Sequence, residues 1–482
     1  MRFRNTLFAL ILLAGLAGFI YYYEYLGEEK RESAIDTEKN LLTFERDKVQ
    51  AVELQRSGSA PLTVHKESDG WKISTPGVAA AVRAEPEKID QILSALMFLR
   101  IERKMEGIAD SELQGFKLKE PAARVTLKLE EGKPDLSLSL GDKSPVGSFY
   151  FAMKPGSTDV LLVSGGVDPI LTADFASLRY RKIVGLDAWK VGRFTIEKAD
   201  RKLVTFKHGA AGTQDQDWRI ERPVVFPADA TKTQGLWSDL QAAEAEGFET
   251  EQPTGADLER LGLSRPALTL TVEPMESATP VKVILGAPAG TGSDAACYAR
   301  RSDAAPVMKI KREFFDKLDG AVEHLDDFRD ARLVPLDRFK LGTLEIQRTG
   351  ATPGRLTLVK DEGSKWRWGA GDGAEMPPEE VNSFLDALDS ARATGFLDAS
   401  GPAPAGEPLL TLVARESGDN GRTVTVRVGA EGSAPAGRRV SSTATTTVYI
   451  VPPAAIQTLV DRAAALKAPQ PQAQPPAAGA KP

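Results

Sequence analysis

Three tryptophans, each followed by a basic residue, recur in one slot of this chain: Trp71-Lys72, Trp218-Arg219 and Trp366-Arg367, spaced 147 and 148 residues apart. Ahead of each lies an alternating strand, Val49–Leu54, Val191–Ile196 and Leu341–Ile346, ending in the polar–basic pairs Gln55-Arg56, Glu197-Lys198 and Gln347-Arg348. A second strand closes on Lys66, Lys207 and Lys360. Beyond the tryptophans the apolar spacing changes to the helical period. It runs through Ile89, Ile92, Leu93 and Leu96, then Leu236, Trp237 and Leu240, then Val381, Phe384, Leu385 and Leu388. Pro377 and Pro378 open the third helix, where a missing N–H costs little. Pro121, Pro266 and Pro408 then introduce strand pairs that finish in an apolar residue and a glycine, Leu140-Gly141, Leu285-Gly286 and Val428-Gly429. A last strand, as in Val160–Val163 and Val448–Val451, precedes a closing helix at Phe314–Leu318 and Ile456–Leu466.

One order of landmarks repeated three times predicts an α+β fold. It consists of three tandem repeats of about 145 residues, each of mixed strands plus one main helix. The expected boundaries are 41–183, 184–333 and 334–467. With 482 residues, 42% of them apolar and 27% charged, each repeat can bury a core of its own.

The ends read differently. Arg2 and Arg4 precede Leu7–Tyr23, seventeen residues without a charge, which as a helix reach about 26 Å, the short end of a bilayer span. Tyr21, Tyr22, Tyr23 and Tyr25 suit the headgroup interface. The expectation is a cytoplasmic N-terminus at 1–6, an uncleaved transmembrane signal anchor at 7–26, a juxtamembrane stalk at 27–40, and the rest of the chain periplasmic. The rival is a signal peptide cut before Gly18, which would leave the apolar start GFIYYYEYL. The Pro/Ala/Gln tail, 468–482, has nothing to bury and is expected to be disordered.

The ordered set of Trp71, Trp218, Trp366, Gly141, Gly286 and Gly429, behind an apolar N-terminal run, resembles the bacterial domain-of-unknown-function 4340 family. The third repeat departs from the pattern, with Trp368-Gly-Ala-Gly-Asp-Gly standing where the others carry Ile73–Pro76 and Ile220–Pro223. The resemblance implies an envelope protein of the inner membrane, an accessory to ABC-type or gliding-type transporters, and supplies no catalytic residues.

The chain's chemistry-bearing residues point the same way. A formal charge of −6 without long basic runs argues against nucleic-acid binding. His65, His208 and His324 occupy no common repeat position, and Cys297 is the only cysteine, so neither a metal site nor a disulfide is expected. The glycine-rich Leu285–Ser293 lacks the lysine a phosphate loop needs after its last glycine. Acid pairs such as Asp326-Asp327 and Glu244/Glu246 leave open a carboxylate-pair hydrolase. Exposed tryptophans would favour a cell-wall glycan binder, and buried ones simple packing. No catalytic, cofactor-binding or metal residue is assigned. The leading expectation is a non-enzymatic scaffold or accessory subunit of a membrane complex.

Overall fold

The computed structural model describes residues 40–467 apart from 79, 131, 187–190, 210–217, 276–278, 291, 293–294, 351–353, 370–372, 398–405, 419–420 and 430–436. The proposed anchor at 7–26 and the tail at 468–482 lie outside the described residues. Among the described residues no helix is long and apolar enough to cross a membrane. The described chain is mixed α+β, with three large sheets and eight α-helices. It divides into two compact units, between Arg181 and Lys182. The first unit holds one sheet and the second holds two.

The first sheet comprises β1 (Val49–Arg56), β2 (Leu62–Glu67), β3 (Gly70–Ser74), β4 (Val82–Arg83), β5 (Arg100–Met105), β6 (Ala123–Leu129), β7 (Leu136–Lys143), β8 (Tyr150–Met153) and β9 (Val160–Ser164). Its order is β4-β3-β2-β1-β6-β7-β8-β9-β5. Four strands meander outward from β1 to one edge. Helix α1 (Pro86–Met97) then carries the chain to β5 at the other edge. The remaining strands return to β1 and close the order, every neighbour antiparallel. Val52 and Leu54 of β1 are buried, as are Ile89, Ile92, Leu93 and Leu96 along one stripe of α1, so sheet and helix share one core. Short helices α2 (Asp168–Thr172) and α3 (Phe175–Leu178) end the repeat.

The second sheet repeats this topology strand for strand. Its members are β10 (Val191–Lys198), β11 (Leu203–His208), β12 (Trp218–Arg222), β13 (Phe226–Pro227), β14 (Gly247–Thr250), β15 (Leu268–Pro274), β16 (Val281–Leu285), β17 (Cys297–Arg301) and β18 (Val307–Ile310). They lie in the order β13-β12-β11-β10-β15-β16-β17-β18-β14, with helices α4 (Ala230–Ala242), α5 (Gly255–Arg260) and α6 (Arg312–Glu323). The third has β19 (Leu341–Arg348), β20 (Arg355–Lys360), β21 (Trp366–Trp368), β22 (Gly395–Leu397), β23 (Leu410–Glu416), β24 (Thr423–Val428), β25 (Arg438–Ser442) and β26 (Val448–Val451). Its order is β21-β20-β19-β23-β24-β25-β26-β22, with α7 (Pro378–Ser390) and α8 (Pro453–Ala465). The second and third repeats share one continuous hydrophobic core, running from Ile183 to Leu466.

The third sheet is one strand short where its sequence turns glycine-rich, yet its register is intact. The Trp71 C=O accepts from the Ala84 N–H at 2.8 Å, that of Trp218 from Ala228 at 3.1 Å, and that of Trp366 from Met376 at 2.8 Å. A single bridge, Arg367 with Glu375, stands in for the missing strand.

The glycine that ends β7 and β16 has a steric cause. A Cβ on Gly141 would sit 2.1 Å from the Phe116 carbonyl oxygen, and one on Gly286 would sit 2.2 Å from that of Leu261. Backbone crosses closely over the strand end in both repeats, and backbone cannot swing aside. Gly286→Ala is therefore expected to cost about 2 kcal/mol, read as a lower urea midpoint, with Gly235→Ala in α4, where nothing lies within 4 Å, as the control.

Candidate functional site

The residues singled out by type do not converge. His65 lies on β2, 2.9 Å from Glu67. The His208 ring stands edge-on to Trp218 at 4.9 Å, and His324 ends α6. Among the described residues no group of three or more His, Cys, Asp or Glu could hold a metal ion. Cys297 is fully buried in β17, and burial pushes its thiol above the ordinary cysteine range. The glycine-rich stretch is the β16–β17 connection, closed by a bridge between Ala289 and Ala296, and Ser293 lies outside the described residues. Glu244 meets Lys182 at 2.9 Å, and Asp326 lies 3.4 Å from Arg329. Trp218 is buried, its indole N–H donating to Gln234 Oε1 at 3.1 Å, whereas Trp71 and Trp366 are half-buried against their cores.

What the fold does assemble is a joint. At the end of the first repeat, Leu178-Arg179-Tyr180 lies along the edge beyond β4: the Glu85 N–H donates to Leu178 O at 2.8 Å and the Tyr180 N–H to Arg83 O at 2.9 Å. At the end of the second, Phe328-Arg329-Asp330 does the same beyond β13. Asp229 donates to Phe328 O at 2.8 Å and Asp330 to Pro227 O at 2.9 Å. The next few residues then serve the following sheet. Lys182 bridges Glu244 ahead of β14, and Arg332 bridges Arg392 ahead of β22. These lead-in segments are pinned from the last residues of β17 and β25. Arg301 donates to Ile183 O at 3.3 Å and to Val184 O while Asp303 grips its guanidinium, and Ser442 Oγ donates to Leu333 O at 3.1 Å.

In the second unit the joint is aromatic. Arg329, 5% exposed, places its guanidinium 5.3 Å from the Phe226 ring centre and 5.2 Å from that of Phe396. Tyr449 completes the cluster, 5.6 Å from Phe396, and burial drives its phenol above the ordinary tyrosine range. Asp326 lies within ion-pair distance of the Arg329 Nε but without hydrogen-bond geometry. One flat cation thus ties β13 of one sheet to β22 of the next.

Beside the joint runs a groove of about 1060 Å³. It is lined by Trp218, Pro227 and Ala228, by the lead-in Pro335–Lys340, and by Arg392 and Arg422. Its cations are mostly answered from behind. Arg332 is gripped by Asp330 at 3.0 and 2.6 Å, and Arg422 by Glu416 at 3.0 and 2.9 Å; these carboxylates are only 6% and 8% exposed. Hydrogen bonding from Arg422 holds the Glu416 carboxyl below its usual range. Arg338 reaches Asp386 at 2.5 Å and Asn382 at 3.3 Å. Such a groove is no sink for a free anion. It presents guanidinium edges held in place and, at its lip, Phe339 with 85% of its surface exposed. Arginine and exposed aromatic side by side is the chemistry of protein recognition.

The joint was overlooked in the sequence, although a signal exists. Arg179-x-x-Lys-Ile-Val-x-Leu-Asp187 and Arg329-x-x-Arg-Leu-Val-x-Leu-Asp337 stand 150 residues apart, and Asn40-Leu-Leu-x-Phe-Glu45 repeats the second half.

The tandem sheets and the covered edges at their ends define a protein of repeated α+β sheets. The chain matches the domain of unknown function 4340 family over residues 79–217 and 218–408, and it belongs to that family. No curated protein and no solved structure is significantly similar. The first matched stretch begins after the tryptophan strand of one sheet and ends immediately before Trp218 of the next, out of phase with the sheets.

Proposed function

We propose that this chain is a non-enzymatic scaffold or accessory subunit of a membrane complex, an ABC-type transporter. Residues 7–26 would anchor it in the inner membrane, with its repeats on the periplasmic side. The observation that carries this reading is the groove in the second unit, where the exposed Phe339 stands beside Arg338, Arg392 and Arg422. An exposed phenyl ring that size costs solubility, and a partner's pocket is the setting in which it contributes binding energy. The transporter component rests on what the family resemblance implies, and the anchor on the apolar run at the N-terminus.

The test is cross-linking and affinity purification of the full-length protein from native membranes, beside Phe339→Ala. Reproducible recovery of permease or ATPase subunits, reduced at least about tenfold by the substitution, is the expected result. Recovery of no membrane partner by the unaltered chain would sink the scaffold reading.

A further inference from the structure

We propose that the outer edge of the third sheet is a strand-addition site for an extended segment of a partner protein, one carrying an apolar residue where Leu178 and Phe328 stand in the covering segments. This rests on the reading of the chain as a binding scaffold and names how the partner is held.

The same edge exists three times. In the first two repeats it is covered by the chain itself, through Leu178-Arg179-Tyr180 and Phe328-Arg329-Asp330, with each arginine buried. In the third, the Met376 N–H donates to Trp366 O at 2.8 Å and the Trp368 N–H to Ala374 O at 3.1 Å. Both bonds point inward, so the backbone N–H and C=O of Glu375 between them face away from β21. The corresponding carbonyls of Arg83 and Pro227 accept from Tyr180 and Asp330, whereas among the described residues none pairs with the Glu375 carbonyl. Next to it lies a pocket of about 330 Å³, lined by Trp366, Met376, Leu385 and Phe339. Trp218 and Ala228, the counterparts of Trp366 and Met376, line the large groove at the covered joint. The third repeat thus keeps the backbone half of that edge, whose covering half in the other repeats is a segment of known sequence.

One detail separates this edge from the other two. Glu85 and Asp229 each donate an N–H to the covering strand, and Pro377 in their place has none. The site offers a shortened ladder, suited to a reversible partner. A second copy of this chain is a poor occupant: ahead of its first lead-in stands Asp36-Thr37, where the covering segments carry Leu178-Arg179 and Phe328-Arg329.

The test uses the full-length protein in detergent and a fluorescein-labelled peptide of the chain's own sequence, residues 325–334, followed by anisotropy. Saturable binding is expected, weakened at least about tenfold by Phe339→Ala, which removes one side of the adjoining pocket. Pro377→Ala restores the missing donor and is expected to tighten binding about fivefold, a gain that misfolding cannot mimic. A peptide carrying F328E should bind at least about tenfold more weakly. The proposal is overturned by absent saturable binding, by equal affinity in all three proteins, or by binding that emerges only when residues 468–482 are removed, since the chain's own tail would then be the occupant. If the peptide fails while native membranes still yield the cross-linked partner, only the strand-addition site falls.

Discussion

Arg329→Ala is expected to destabilise the second unit by about 3 kcal/mol, while the first unit melts as before. Alanine removes a 5%-exposed cation from between Phe226 and Phe396 and leaves a cavity against Tyr449 at the seam between two sheets. The charge itself gains little from Asp326, whose side chain is 61% exposed. Arg329→Met, which fills much of the same space without a buried charge to desolvate, should therefore recover most of the loss, to within about 1 kcal/mol of the parent. Urea melts of the full chain followed by near-ultraviolet dichroism separate the two substitutions. Equal destabilisation by alanine and methionine would show that the guanidinium, and not its volume, holds the joint.

Trp237→Ala should cost about 4 kcal/mol. This residue of α4 is fully buried and stacks on Phe194 at 5.4 Å, which stacks in turn on Phe206 at 4.9 Å and meets Trp218 edge-on at 5.3 Å. The equivalent helix positions hold Leu93 and Leu385. The second repeat therefore centres its core on one large ring where the others use a leucine. Trp237→Leu, which borrows the neighbours' solution without their surrounding side chains, is expected to fall between parent and alanine. Destabilisation below about 2 kcal/mol for the alanine variant would mean that the site collapses around the gap.

The elements that were legible in the sequence are those whose signal is local. The stripe of Ile89, Ile92, Leu93 and Leu96 needs only the helical period, and the paired Gly141 and Gly286 announce themselves by recurrence. The joint is different. Arg329 bridges Ala228, about a hundred residues earlier, while Arg332 bridges Arg392, sixty residues later. No periodicity records such pairings. Arg179 and Arg329 also look like solvated charges in composition, yet they are 6% and 5% exposed, because their stems pack and aromatic faces receive their heads. The glycine-rich run after Trp368 reads as a broken register, and the register survives because a single bridge at Glu375 suffices to set it. Phe339 was missed for the opposite reason. One aromatic in a lead-in reads as core, and only the three-dimensional arrangement leaves it in solvent.

The offset between the family's unit and the sheets bears on how such a chain could have lengthened. The stretch 79–217 begins with β4 and α1, runs through β5–β9, which finish one sheet, and ends with β10 and β11, the two strands that start another. Copied together with a tryptophan strand, as residues 79–222, and spliced in after such a strand, it completes the sheet before it and founds the sheet after it, and it brings its own Arg179 segment to cover the β4 edge. Growth in that phase adds a repeat without an intermediate that exposes an unfinished sheet, so the array can change length by a single genetic event.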